Sequence, residues 1–216
     1  MNNTEIIFVI DKSGSMGNLV GDTIGGFNGF IEGQKAIDGK ATLTTVLFNT
    51  SWEIIHDSVD INEVKNMTHS DYIVGGGTAM LDAIGEIINR VQDRHDELGE
   101  NKPDNVIFVI TTDGEENSSR VFNKAQIEKM IKHQTNGHGW KFMFLGANMD
   151  AVKEAASIGI QSDYATNYIY TSQGVYDSYS TINCVARAIR TDSLSDDFNL
   201  SSAYSDCTKA ESYNTK

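Results

Sequence analysis

Glu5-Ile6-Ile7-Phe8-Val9-Ile10-Asp11-Lys12-Ser13-Gly14-Ser15-Met16 is the stretch on which the fold turns. Ile6 to Ile10 offer no polar face, so a strand built from them is buried on both sides, as in a parallel sheet covered by helices. The run ends on a carboxylate and passes into Ser and Gly. Val106-Ile107-Phe108-Val109-Ile110 repeats the pattern and runs on to Asp113. In open α/β sheets ligands bind at the carboxyl ends of strands, so both acids stand where a site is expected.

Further β-rich runs lie at residues 41–48, 52–56, 141–145 and 164–170, beside strands at 5–10 and 106–112. Between them apolar residues recur at helical spacing. Leu19, Thr23, Phe27, Phe30 and Ile31 form one stripe. Leu81, Ile84, Ile87, Ile88 and Val91 form another, starting near Thr78. Ile127, Met130 and Ile131, then residues 151–158, give two more. Val175, Tyr179, Ile182, Val185, Ala186 and Ile189 give the last, with Thr171 or Ser172 as N-cap. Alternating strands and helices predict a doubly wound α/β sandwich. One pair breaks the alternation. Only Asn49-Thr50-Ser51 separates residues 42–48 from 52–55, too short for a crossover, so these two form an antiparallel hairpin at a sheet edge.

The chain has 216 residues, 39% hydrophobic, with 17 Lys and Arg against 30 Asp and Glu and a net charge of −13. That size supports one large domain. The charge speaks against nucleic acid and anionic membrane as main partners, since phosphate binding needs clustered Lys and Arg. The start, Met1-Asn2-Asn3-Thr4, carries no basic and apolar leader, and no apolar run approaches the ~20 residues of a membrane span. Cys184 and Cys207 do not make a disulfide framework. A cytoplasmic protein is expected. Residues 1–191 are read as the domain, and 192–216, rich in Ser, Asp, Asn and Tyr, as a disordered tail.

Three loops carry chemistry. Asp11-Lys12-Ser13-Gly14-Ser15 supplies a carboxylate and two hydroxyls at alternate positions, which a turning backbone can converge. Gly75-Gly76-Gly77-Thr78 lets the backbone approach closely and places a hydroxyl at a helix start. Asp113-Gly114-Glu115-Glu116-Asn117 sets a second carboxylate in the position equivalent to Asp11. Hard cations such as Mg²⁺ take about six oxygen ligands, waters often among them. Asp82 reads as a first-turn acid or a support to the site, and Glu115 and Glu116 as a solvated loop rim. Lys12 reads as pointing outward toward a partner. The five histidines show no zinc spacing, and Cys184 reads as a small core residue.

With Asp11-x-Ser13-x-Ser15, Thr78 after its glycines and Asp113-Gly114 after an apolar strand, the chain resembles a von Willebrand factor type A (vWA) domain over residues 4–190. The resemblance implies a three-layer α/β/α sandwich. Its mostly parallel six-stranded sheet would run 3-2-1-4-5-6 with one antiparallel edge strand. It also implies a metal-ion-dependent adhesion site. Ser13, Ser15 and Thr78 would be hydroxyl ligands to Mg²⁺, with Mn²⁺ or Ca²⁺ as alternatives. Asp11 and Asp113 would bind directly or through water. Two carboxylates leave such a cation incompletely neutralised, open to an acidic residue of another protein. The resemblance further implies a stand-alone bacterial or phage type, and a place within a larger assembly of the kind in which intracellular family members commonly work.

Three rivals stand beside this reading. A Mg²⁺-dependent phosphoester or nucleotide hydrolase using Asp11 lacks the second Asp two residues on, where Ser13 stands, and no histidine lies at a site loop to act as base. A dinucleotide-binding domain lacks the glycine fingerprint after strand one. A scaffold subunit of a phage or complex overlaps with binding. The sequence thus predicts a binding module without catalytic residues.

Overall fold

The computed structural model describes residues 3–206. Six strands form one sheet in the order β3-β2-β1-β4-β5-β6. They are β1 (Thr4–Asp11), β2 (Ala41–Phe48), β3 (Trp52–Asp60), β4 (Asn105–Thr112), β5 (Lys141–Gly146) and β6 (Ala165–Asn167). All pairs are parallel except β2 with β3. The helices are α1 (Val20–Lys35), α2 (Met80–Leu98), α3 (Lys124–His138), α4 (Ala151–Ser157) and α5 (Ser172–Arg190). The expected strand order, the hairpin and the edge strand are all present.

Side-chain alternation along the buried strands splits the core in two. Ile6, Phe8, Ile10, Leu43, Leu47, Ile107 and Val109 face α1 and α5. Ile7, Val9, Val46, Phe48, Phe108 and Ile110 face α2, α3 and α4. β1 is buried at every position, which is why its sequence shows no alternation.

One buried position on β1 is charged. Glu5, 1% exposed, accepts from Arg94 and from His95 Nε2 at 2.7 Å, both on α2. Arg94 also reaches Asp57 of β3 at 3.2 Å. His95 stands edge-on to Trp140 at 5.5 Å.

α1 packs on α5 through glycine. A Cβ on Gly26 would lie 2.4 Å from the Tyr179 ring, whereas one on Gly25 or Gly29 would meet nothing within 4 Å. Alanine at Gly25 or Gly29 is therefore expected to stabilise by roughly 0.5–1 kcal/mol each, through helix propensity alone. Alanine at Gly26 is expected to destabilise by about 1–3 kcal/mol, because Tyr179 is pinned against Phe8 and cannot yield. Urea titration of the three variants checks this, and equal signs at Gly25 and Gly26 would refute it.

Two expectations need correction. Cys184 lies on the exposed side of α5, not in its apolar stripe. The tail read as disordered from residue 192 instead docks on the domain through a few side chains between residues 194 and 204. Leu200, 0% exposed, and Tyr204 join the core, and Phe198 tilts against Tyr164 with ring centroids 5.1 Å apart. A few large apolar residues in a polar segment suffice to dock it, and composition averages them away. Ser201 Oγ donates to the Ala165 carbonyl at 3.2 Å, so the segment lies along the free side of β6. Residues 207–216, Cys207 among them, lie outside the described residues.

Candidate metal centre

The parallel register puts Asp11 at the end of β1 beside Thr112 at the end of β4, one residue short of Asp113. Asp11 is 0% exposed, Asp113 2%. Asp11 Oδ1 accepts from the Ser13 backbone N–H at 2.6 Å, and Oδ2 from Thr112 Oγ1 at 2.6 Å. Ser13 Oγ lies 3.0 Å from Ser15 Oγ, which donates to Asp113 Oδ1 at 2.6 Å. One hydrogen-bonded chain thus joins Ser13, Ser15 and Asp113, with Asp11 anchoring its base.

Thr78 enters from the second loop. A Cβ on Gly114 would lie 3.8 Å from Ser15 Oγ and 3.9 Å from Thr78 Oγ1, so both hydroxyls face the same backbone. The loops are tied by main chain. Gly75 N–H donates to the Lys12 carbonyl at 2.9 Å, and Gly14 N–H to the Gly76 carbonyl at 3.2 Å. Gly76 has φ +75°, and a Cβ there would strike Thr50 Oγ1 at 2.4 Å, so this position admits glycine for two reasons. All five expected oxygen-bearing residues therefore gather at the carboxyl end of the sheet.

The electrostatics are those of a site short of positive charge. Burial raises the Asp11 carboxyl from 3.8 to about 6, against the lowering effect of its Thr112 and Ser13 hydrogen bonds. Burial also raises Asp113, opposed by the Ser15 hydroxyl. Asp113 Oδ2 is buried with no hydrogen-bond partner. An ionised oxygen left unpaired in a dry site costs free energy, which a cation would offset. Among the described residues no group of three or more His, Cys, Asp and Glu could hold a metal ion. The donors here are instead two carboxylates with neutral hydroxyls, a set suited to a hard cation that keeps waters. The residues present fit a divalent cation.

Several residues that shape the site were not singled out in the sequence. Thr112 could have been, since parallel pairing of the two strand ends sets it beside Asp11. Tyr72 donates its hydroxyl to the Asp11 carbonyl and Tyr170 to that of Ser15, clasping the first loop. Neither shows a local signal, because both reach in from distant segments. Lys12 is not free and outward: its ammonium pairs with Glu53, and its side chain is only 12% exposed.

No family model matches the chain, and no curated protein matches it. Solved structures do. A von Willebrand factor type A protein from Catenulispora acidiphila is 14% identical with a TM-score of 0.56, over 87% of this chain and 43% of that one. The fold is that of a vWA domain. The PilB minor pilin from Streptococcus sanguinis gives a TM-score of 0.62 at 14% identity, over 88% of this chain and 62% of that one. Manganese-loaded TRAP protein from Plasmodium vivax gives 0.55 at 17% identity, over 81% and 71%. At such identities the likeness is one of fold. This chain spans less than half of the Catenulispora protein. Among its described residues no helix is long and apolar enough to cross a membrane.

Proposed function

We propose that this chain is a divalent-cation-dependent protein-binding module whose site is a metal-ion-dependent adhesion site. The observation that carries the reading is Asp113 Oδ2, buried and unpartnered on a carboxylate whose other oxygen accepts from Ser15, next to the Gly114 backbone that Ser15 and Thr78 both face. Asp113, Ser13, Ser15 and Thr78 would hold the ion, with Asp11 beneath them. When bound, the cation supplies a positive coordination position for an acidic residue of another protein. The chain's own part is to orient its hydroxyls and keep its carboxylates dry. Mg²⁺ is the ion assigned, and the manganese in the TRAP neighbour supports a divalent metal on this fold. The setting proposed is a larger assembly.

Binding is preferred to hydrolysis because Asp11 is fully buried and both its oxygens already accept hydrogen bonds, leaving it unsuited to attack phosphorus. Mg²⁺ or Mn²⁺ is expected to stabilise the fold by about 1.4 kcal/mol at tenfold excess over Kd, read as a rise in Tm. The double change Ser13→Ala with Asp113→Ala should remove that rise. A wild type indifferent to millimolar metal would sink the reading. So would metal-dependent phosphoester turnover abolished by Asp11→Ala.

A further inference from the structure

Thr78 and Asp113 belong to different elements, and their separation must be set by something other than the sheet. α2, which begins just after Thr78, has no cap of its own. Its N-cap residue is Ala79, with no side-chain hydrogen bond. The first-turn N–H groups that a local Ser or Asp would ordinarily satisfy are met from the third loop instead. Leu81 N–H donates to Glu116 Oε2 at 2.9 Å, and Asp82 N–H to Ser119 Oγ at 3.0 Å.

The traffic runs both ways. Asp82 accepts the N–H groups of Arg120 at 2.8 Å, Val121 at 2.9 Å and Phe122 at 2.8 Å. The Thr78 peptide is held on both sides: its N–H donates to Asn117 Oδ1 at 2.9 Å, and its carbonyl accepts from Asn117 N–H at 3.1 Å. The contact is close enough that a Cβ on Gly77 would lie 2.2 Å from Ser118 Oγ. Glu116 sits at the hub. Besides Leu81 N–H it accepts from Ser118 N–H at 2.8 Å, Ser119 N–H at 2.7 Å and Ser119 Oγ at 2.8 Å. Every polar atom around its carboxylate is a donor. Glu116 is thus no solvated rim, and Asp82 no ordinary first-turn acid.

We infer that Glu116 is a positioning residue for the cation site: it caps α2 from the third loop and so fixes the Thr78 hydroxyl against Asp113. The inference rests on the metal reading above. Residues that support ligands from behind usually contribute 10- to 100-fold in metal affinity. Gln is the informative replacement, because it keeps the size of Glu116 but turns an amide NH₂ toward a ring of donors.

The test is Mn²⁺ binding by the full chain, followed by electron paramagnetic resonance, in wild type, Glu116→Gln, Thr78→Ala and the double variant. Melting in EDTA reports the fold separately. Glu116→Gln is expected to weaken Mn²⁺ binding about 10- to 100-fold. It should weaken binding little further in the Thr78→Ala background, since both changes remove the same ligand. A purely structural Glu116 would lower the EDTA melting point and leave Mn²⁺ affinity unchanged, which overturns the inference. Additive losses in the double variant overturn it too. Should Glu116→Gln not fold, Ser119→Ala removes one bond to Glu116 and the cap on Asp82 N–H. Unchanged affinity in that variant has the same force. A wild type that binds no Mn²⁺ defeats the metal reading itself and this inference with it.

Discussion

Replacing Asp11 with Asn is expected to make the metal-free protein more stable at neutral pH and to abolish its response to Mg²⁺. The folded chain holds the Asp11 proton up to about pH 6, against 3.8 for the ordinary side chain. A raised carboxyl contributes its stability below the unfolded value and loses it as pH climbs through the folded one. At neutral pH the metal-free site therefore bears a penalty on the order of 2–3 kcal/mol. Asn removes the charge and keeps the geometry. Its carbonyl accepts from Ser13 N–H, and its NH₂ donates to Thr112 Oγ1, which turns its own hydrogen to the Gly114 carbonyl, 3.0 Å away. A Tm higher by about 5–10 °C in EDTA is expected. The difference should vanish near pH 4, where both side chains are neutral. Comparing variant with wild type cancels the other titrating groups, among them His56, Asp57 and Asp71. An Asn variant less stable than wild type at neutral pH in EDTA, or one still stabilised by Mg²⁺, would contradict this account.

The second large effect lies at the opposite end of β1. Glu5→Ala is expected to cost about 3–5 kcal/mol, because it leaves the Arg94 guanidinium and the His95 imidazole without their buried acceptor. Arg94 Nε is already buried without a partner, so Arg94 has no spare bonding to fall back on. Asp57 cannot replace Glu5, being on the outer strand and also paired with Arg90. Glu5→Gln retains one acceptor and should fall between. Guanidinium unfolding, read as a lower midpoint at unchanged slope, measures both. A loss under about 1 kcal/mol for Glu5→Ala would mean that the network is solvated rather than buried.

The fold was legible where burial writes itself into single residues. β1 and β4 announce a doubly covered sheet because their central five positions, Ile6–Ile10 and Val106–Ile110, are all apolar, and the gap at residues 49–51 is too short to be anything but a hairpin. Asp11, Ser13, Ser15, Thr78 and Asp113 were legible because they stand at strand ends and a helix start, positions that local pattern predicts. The supports were not. Glu116 and Asp82 act across a gap of more than thirty residues, and nothing near either says that its partners are N–H groups on another loop. Tyr72 and Tyr170 reach the first loop the same way. The docked segment beyond residue 191 escaped for a different reason: its anchors, Phe198, Leu200 and Tyr204, are isolated among polar neighbours.

That segment makes the two borders of the sheet unlike. Among the described residues no strand pairs with the outer side of β3, while beside β6 the chain's own continuation donates from Ser201 to the Ala165 carbonyl. Edge-to-edge stacking can run on into a filament only if each copy presents two open borders. A sheet with one border sealed can pair once, β3 against β3, and there growth stops.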